Sequence, residues 1–221
     1  MPHGVIFDMD GVLVDSGPAH HQSWQLLARR NGLGMSDAAF AETFGMTSRE
    51  IIRKFWGAQV ADAEARRIDD EKEALYRDLI RGHVPLSPGA RETLAALAQA
   101  GLVLAVGTSG PPENLELVLR ETGLAGYFAA TVTGFDVQRG KPAPDVFLLA
   151  AARAGLQPVD CVVVEDAPVG IQAAVAGGMQ AIGYAGTHAA ERLTEAGAAR
   201  VVSRLTEITA ALVEELLRQS R

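Results

Sequence analysis

Near the start of this 221-residue chain, Asp8 and Asp10 stand two residues apart, directly after the apolar run Gly4-Val5-Ile6-Phe7. Side chains alternate along an extended segment, so both carboxylates project to one side at a strand's C-terminal end. Neighbouring carboxylates repel unless a cation or a proton is shared between them. The economical reading is a metal-assisted site. Other reactive groups follow later apolar runs in the same way. Thr108 and Ser109 come after the run at 102–106, Glu165 and Asp166 come after Cys161-Val162-Val163-Val164, and Lys141 precedes a segment opened by Pro142. Carboxylates collect a hard divalent cation, whereas a lysine and a hydroxyl bind the oxygens of a phosphoryl group. Phosphoryl transfer needs little else. An aspartate can attack phosphorus, and a second aspartate two residues on can move the proton.

These groups must be brought together by the elements that carry them. Short, nearly uniform apolar runs separated by helical patterns are what a parallel sheet covered on both faces requires. Strands are expected at 4–7, 102–106, 131–133, 161–164, 181–184 and 201–202. Helices are expected between them at 90–100, 112–122, from Pro142 to 155, and at 168–176, with an amphipathic closing helix from Leu205. In such a sheet ligands bind beyond the carboxyl ends of the strands, where all of these groups fall. The stretch at 16–83 has no alternating pattern. Pro18 opens one helix, Ser36-Asp37 and Thr47-Ser48 can cap two more, and a polar helix runs from about 62 to 82. We expect two parts: an α/β core formed by 1–15 and 84–221, and a helical insertion at 16–83.

Composition sets the remaining bounds. A mass of 23.3 kDa with 48% hydrophobic residues supports one substantial core and a small second lobe. Twenty Lys plus Arg against 27 Asp plus Glu give a net charge of −7. No basic cluster stands out, so nucleic acid is not an expected partner. The single cysteine, Cys161, lies in an apolar run and reads as a small buried hydrophobe. No internal disulfide can form, which fits a reducing cytoplasm. No basic head with an apolar stretch begins the chain, and no segment reads as a membrane span. A cytoplasmic monomer or weak dimer is the expectation.

The chain resembles the haloacid dehalogenase superfamily over nearly its whole length. Asp8-Met9-Asp10-Gly11-Val12 is similar to its first motif, Thr108-Ser109 to its second, Gly140-Lys141-Pro142 to its third and Glu165-Asp166 to its fourth. The resemblance implies a Rossmann-like α/β fold, Asp8 as nucleophile, and Asp10 as general acid and base. It makes Thr108, Ser109 and Lys141 phosphoryl binders. It assigns Mg²⁺ to Asp8, Asp166 and the Asp10 backbone carbonyl, with Glu165 orienting or supplementing the ligands. The insertion at 16–83 resembles the small cap of the branch that includes phosphoglycolate phosphatase-like enzymes and β-phosphoglucomutase. It implies a phosphatase for a small phosphorylated metabolite, a sugar phosphate among the candidates, with a phosphosugar mutase as the alternative. A phospho-aspartate receiver domain uses similar groups, but such domains are about half as long and lack an insertion.

In the cap, His20, Arg49 and Lys72 fall where the mutase branch has a hinge histidine, a phosphate-binding arginine and a further lysine. Arg49 beside Glu50, and Lys72 between Glu71 and Glu73, also read as ordinary solvated helix residues. Trp24 reads as a cap core residue, and His3, His21, His83 and His188 as surface residues. After the second motif, Gly110-Pro111-Pro112 replaces the polar residue and lysine of the mutase pattern. This favours hydrolysis.

Overall fold

The computed structural model describes residues 2–41, 43 and 47–219. Gly45 and Met46, which precede Arg49 in its sequence context, lie outside them. The chain divides into two compact units, Met1–Asp15 with Val84–Arg221, and Ser16–His83.

The first unit is built on a six-stranded sheet in the order β3-β2-β1-β4-β5-β6, all parallel. The strands are β1 (Gly4–Phe7), β2 (Val103–Gly107), β3 (Phe128–Val132), β4 (Cys161–Glu165), β5 (Gln180–Tyr184) and β6 (Arg200–Val202). β1 and β4 are buried along their whole length, which is why they carry apolar residues on both faces. Ile6, Cys161 and Val163 point into one buried cluster with Phe147, Ile171 and Leu193. That layer comes from α7 (Asp145–Arg153), α8 (Pro168–Ala176) and α9 (Ala190–Glu195). The alternate residues Val5, Phe7, Val162 and Val164 are equally buried. They face the opposite layer, where α5 (Ala90–Gln99) packs on β2 and α10 (Ala210–Gln219) on β4. α6 (Pro112–Thr122) links β2 to β3.

The order reverses at the β1–β4 pair, where Phe7 is in register with Val164. Connections from these strands leave in opposite directions, so a crevice opens at their carboxyl ends. Asp8 extends the pairing by one residue, its N–H donating to the Val164 carbonyl at 3.0 Å.

The second unit contains α1 (Gly17–Arg30), α2 (Asp37–Ala41), α3 (Ser48–Trp56) and α4 (Asp62–Ile80). Thr47 caps α3: its hydroxyl accepts from the Glu50 N–H, while the Glu50 carboxylate accepts from the Thr47 N–H at 2.7 Å. Trp24, Leu27, Ala28, Ile52, Ala65 and Ile68 form this unit's core, with Trp24 in the predicted place. The structure corrects the sequence expectation at three elements. β3 begins at Phe128 and ends at Val132, α9 is an additional short helix after β5, and the closing helix α10 begins at Ala210, after a tight turn at Leu205–Glu207. Among the described residues no helix is long and apolar enough to cross a membrane.

Candidate active site

The loop after β1 is fastened from beneath. Met9, Val12, Leu13 and Val14 are buried, and the Met9 carbonyl accepts from the N–H groups of Leu13 and Val14 at 2.9 and 3.0 Å. With those apolar side chains inside, Asp10 between them stands toward the loop after β2. Gly11 closes the turn at φ +76°. A Cβ built there would stand 2.1 Å from Asp166 Oδ2, so both the backbone conformation and the close approach call for glycine. The returning chain is tied to the outgoing one, since the Asp15 N–H donates to the Pro85 carbonyl and the Ser87 N–H to the Leu13 carbonyl.

β4 delivers Glu165 and Asp166 beside Asp8. The three carboxylates are buried, and one oxygen from each lies within 4.8 Å of the others. Lys141 enters from the loop before α7, donating to Asp8 Oδ1 at 2.7 Å and to Glu165 Oε1 at 2.7 Å. Its side chain is only 6% exposed, and its ammonium lies 4.7 Å from the Phe147 ring centroid. The second Glu165 oxygen accepts from the Ala167 N–H at 2.7 Å, so both oxygens are engaged. Space for this carboxylate comes from Gly170, where a Cβ would fall 1.8 Å from Glu165 Oε1. Arg139 braces the lysine loop by donating twice to Asp145, at 3.1 and 2.9 Å.

Thr108 is buried at the end of β2, and its hydroxyl accepts from the Gly110 N–H at 3.2 Å. Ser109 beside it is exposed. The Asp10 carboxylate lies on the same side as this loop: a Cβ built at Gly110 would be 3.4 Å from Asp10 Oδ2 and 3.6 Å from Thr108 Oγ1. The strand ends therefore bring together Asp8, Asp10, Thr108, Lys141, Glu165 and Asp166.

Three buried carboxylates face one ammonium, and this imbalance governs the electrostatics. Burial pushes the Asp8 carboxyl up to about 7; Lys141 opposes that rise, and Glu165 and Asp10 add to it. Burial, with the charges of Glu165 and Asp8, also holds Asp166 well above the ordinary carboxylate range. Burial alone would lower Lys141, but Asp8 and Glu165 outweigh it and keep the ammonium charged. Such an excess of buried negative charge is relieved by protons or by a cation. The donor set is all oxygen, which fits a hard divalent ion such as Mg²⁺.

The residues singled out in the second unit separate into two places. Lys72 is buried, contrary to its reading as a solvated residue, with Nζ 2.9 Å from His20 Nδ1 and 2.6 Å from Glu73 Oε1. His20 stacks on Tyr76 with centroids 3.9 Å apart, and the ammonium lies 5.4 Å from the Trp24 ring centroid. Lys72 occupies the α4 face that buries Ile68, Leu75 and Tyr76, its neighbours at helical spacing. Arg49 is instead half exposed, ion-paired with Asp62, at a cavity of about 300 Å³ also lined by Ile52, Arg66 and Asp69.

The sequence reading also missed contacts of the Gly186–Ala189 loop. His188, expected at the surface, has its ring Nδ1 3.0 Å from the Asp166 carbonyl oxygen. The Thr187 hydroxyl bonds the Asp166 carboxylate. His21, also expected at the surface, stacks on Phe40 at 4.1 Å. Cys161 is the buried hydrophobe expected, its thiol pushed up to about 12 by burial.

Comparison with known proteins agrees with this geometry. The family model for haloacid dehalogenase-like hydrolases matches residues 2–178. A fructose-1-phosphate phosphatase of Escherichia coli is 36% identical over 179 residues, covering 81% of this chain and 94% of its own. A β-phosphoglucomutase of Bacillus subtilis is 30% identical over 224 residues, covering 98% and 96% respectively. Among solved structures, a family IA hydrolase of the haloacid dehalogenase type from Entamoeba histolytica superposes with a TM-score of 0.91 at 27% identity, covering 98% of this chain and 99% of that one. The chain belongs to the haloacid dehalogenase-like hydrolases.

Proposed function

We propose that the protein is a Mg²⁺-dependent phosphatase that hydrolyses a small phosphorylated metabolite, a sugar phosphate by class, through an aspartyl-phosphate on Asp8. The observation that carries this reading is the Lys141 ammonium, 2.7 Å from both Asp8 and Glu165 beside a third buried carboxylate. One cation at that point can bind a phosphoryl oxygen while holding the attacking aspartate. Similarity to a fructose-1-phosphate phosphatase supports the substrate class.

Asp8, Asp166 and the Asp10 backbone carbonyl would hold Mg²⁺, with Glu165 beside them. The ion would supply positive charge that offsets repulsion between these carboxylates and the phosphoryl group. The chain's own groups perform the transfer. An Asp8 carboxylate oxygen forms a bond to phosphorus as the ester P–O bond breaks, and the leaving alkoxide takes a proton from the Asp10 carboxyl. Asp10, now a carboxylate, takes a proton from a water whose oxygen bonds phosphorus. The acyl phosphate bond breaks, releasing inorganic phosphate and restoring Asp8. Lys141 and Thr108, with Ser109 at the rim, bind the phosphoryl oxygens. The Ser16–His83 unit serves as a cap, joined through the two crossings at 15–16 and 83–84. The single buried cysteine fits a cytoplasmic setting.

Similarity to a β-phosphoglucomutase across 98% of the chain supports a second reading, in which the same aspartyl-phosphate is passed to another hydroxyl of the sugar. A mutase must hold a bisphosphate at two sites. The cap arginine offered for the second site, Arg49, is already paired with Asp62. Hydrolysis therefore remains the first reading. Purified protein incubated with Mg²⁺ and a panel of phosphorylated sugars should release phosphate. Conversion of β-glucose 1-phosphate to glucose 6-phosphate without net release would select the mutase. Asp8→Asn should lower either activity by at least about 10⁴-fold, since the nucleophile is lost. Full activity in that variant would remove the mechanism.

A further inference from the structure

Of the three clustered carboxylates, Asp8 and Glu165 are each held by Lys141, and Glu165 also by the Ala167 N–H. Asp166 is gripped from a different element. The Thr187 hydroxyl bonds its carboxylate, and His188 Nδ1 lies 3.0 Å from its backbone oxygen. A carbonyl oxygen can only accept, so Nδ1 carries the hydrogen of that bond in either protonation state of the ring. Gly11 presses close to the same contact: its constructed Cβ position is 2.1 Å from Asp166 Oδ2 and 3.0 Å from Thr187 Oγ1. The carboxylate thus meets both the loop after β1 and the loop after β5.

We infer that Thr187 and His188 are positioning residues that set the Asp166 carboxylate for a divalent cation, one through the side chain and the other through the backbone. The inference rests on reading Asp8, Glu165 and Asp166 as the cation site. A ligand with its carboxylate turned in advance loses less freedom on binding the ion, and groups behind metal ligands commonly govern affinity by 10–100-fold. Thr187 is well suited to this task, because it carries no core packing. It is exposed and borders a cavity of about 290 Å³ shared with Gly11, Asp15, Ser87 and Tyr184. Its removal should be felt by the carboxylate and not by the fold.

The test is calorimetric titration of the whole protein with Mg²⁺ alone, without substrate. Thr187→Val, which keeps the shape and removes the hydroxyl, should raise the Mg²⁺ Kd about tenfold. Thr187→Ser should bind as the parent does. His188→Ala should also weaken binding, and His188→Asn, whose amide can replace the Nδ1–H, should restore it. The Mg²⁺ concentration giving half-maximal rate should move with Kd, while substrate KM at saturating Mg²⁺ and the metal-free melting temperature stay unchanged. Asp166→Asn serves as the reference. If it loses Mg²⁺ binding while Thr187→Val binds like the parent, the positioning role is wrong and the cation site stands. If Asp166→Asn binds Mg²⁺ undiminished, the cation site itself is wrong. A change in substrate KM at saturating Mg²⁺ in Thr187→Val would assign the hydroxyl to substrate and overturn the inference.

Discussion

Each unit of the molecule buries a lysine, and their surroundings differ in one decisive respect. Lys72 in the helical unit meets one carboxylate, one imidazole nitrogen and the faces of Trp24 and Tyr76. One carboxylate touches the ammonium, Asp69 acts on it from one turn away along the same helix, and the aromatic rings supply weak electrostatic support. Lys141 at the sheet edge meets two carboxylates with a third beside them, so negative charge remains in excess. A single contacting pair among aromatic rings serves to hold a structure together. Three converging buried carboxylates call for a further cation and can exchange it, which is a property of sites that do chemistry. Burial alone does not distinguish the two, since both side chains are at most 6% exposed.

The sharpest way to break this comparison is to remove each ammonium in turn. Lys141→Met should lower phosphatase turnover by about 10²–10³-fold, the scale for losing one preorganised charge at a transition state. Steady-state phosphate release measures it, and turnover within a few fold of the parent would deny the lysine its role. Lys72→Met removes a buried ammonium from its 2.6 Å contact with Glu73 and should cost about 3 kcal/mol of stability. Urea unfolding reads that cost, and faster backbone hydrogen exchange should be confined to α1 and α4. Below the unfolding transition, kcat/KM should change by less than about tenfold. A thousandfold loss in a folded protein would make Lys72 a reacting group and erase the distinction.

A milder test uses the excess charge itself. In the metal-free protein Asp8 holds its proton up to about pH 7, because burial and its acidic neighbours disfavour the anion. Its carboxylate binds the cation only after that proton leaves, so Mg²⁺ affinity falls as pH falls through about 7. Between pH 8 and pH 6 the apparent Kd should rise about tenfold, with proton uptake or release visible by calorimetry in buffers of different ionisation enthalpy. A pH-independent Kd over this range would show that Asp8 is already ionised in the metal-free protein.

The same contrast explains what the sequence made legible. Asp8, Thr108 and Glu165 follow apolar runs, and in a parallel sheet that position alone carries a side chain to the ligand edge. The boundaries of α6 and α8 are legible because proline marks their first turns. The start of β3 is not, because it is an edge strand, only partly buried, without a continuous apolar run. α9 is hidden because six residues make too few turns for a periodic pattern. Lys72 is the instructive case. Its charged neighbours suggested solvent, yet its spacing from Ile68, Leu75 and Tyr76 already placed it on the buried face. Thr187 and His188 left no signal of any kind. They act through a loop brought beside Asp166 by the adjacency of β4 and β5, which is a fact of tertiary pairing.

Arg49 provides the smallest expected effect and the finest discrimination. Its side chain is 52% exposed and its partner Asp62 is 58% exposed, so the ion pair is solvated on both sides. Pairs of this kind contribute at most about 1 kcal/mol, and Arg49→Ala should shift the unfolding midpoint barely measurably. Turnover separates the two functional readings more cleanly. A hydrolase for a monophosphate has no second phosphate to hold, so Arg49→Ala should change kcat/KM no more than a few fold. A mutase loses a charge-assisted contact to its bisphosphate, worth about 1.5–3 kcal/mol, and should fall by about 10–100-fold. The larger loss would mean that Arg49 leaves Asp62 when substrate arrives. The helical unit would then hold two cations with different tasks, Lys72 maintaining its core and Arg49 binding the second phosphate.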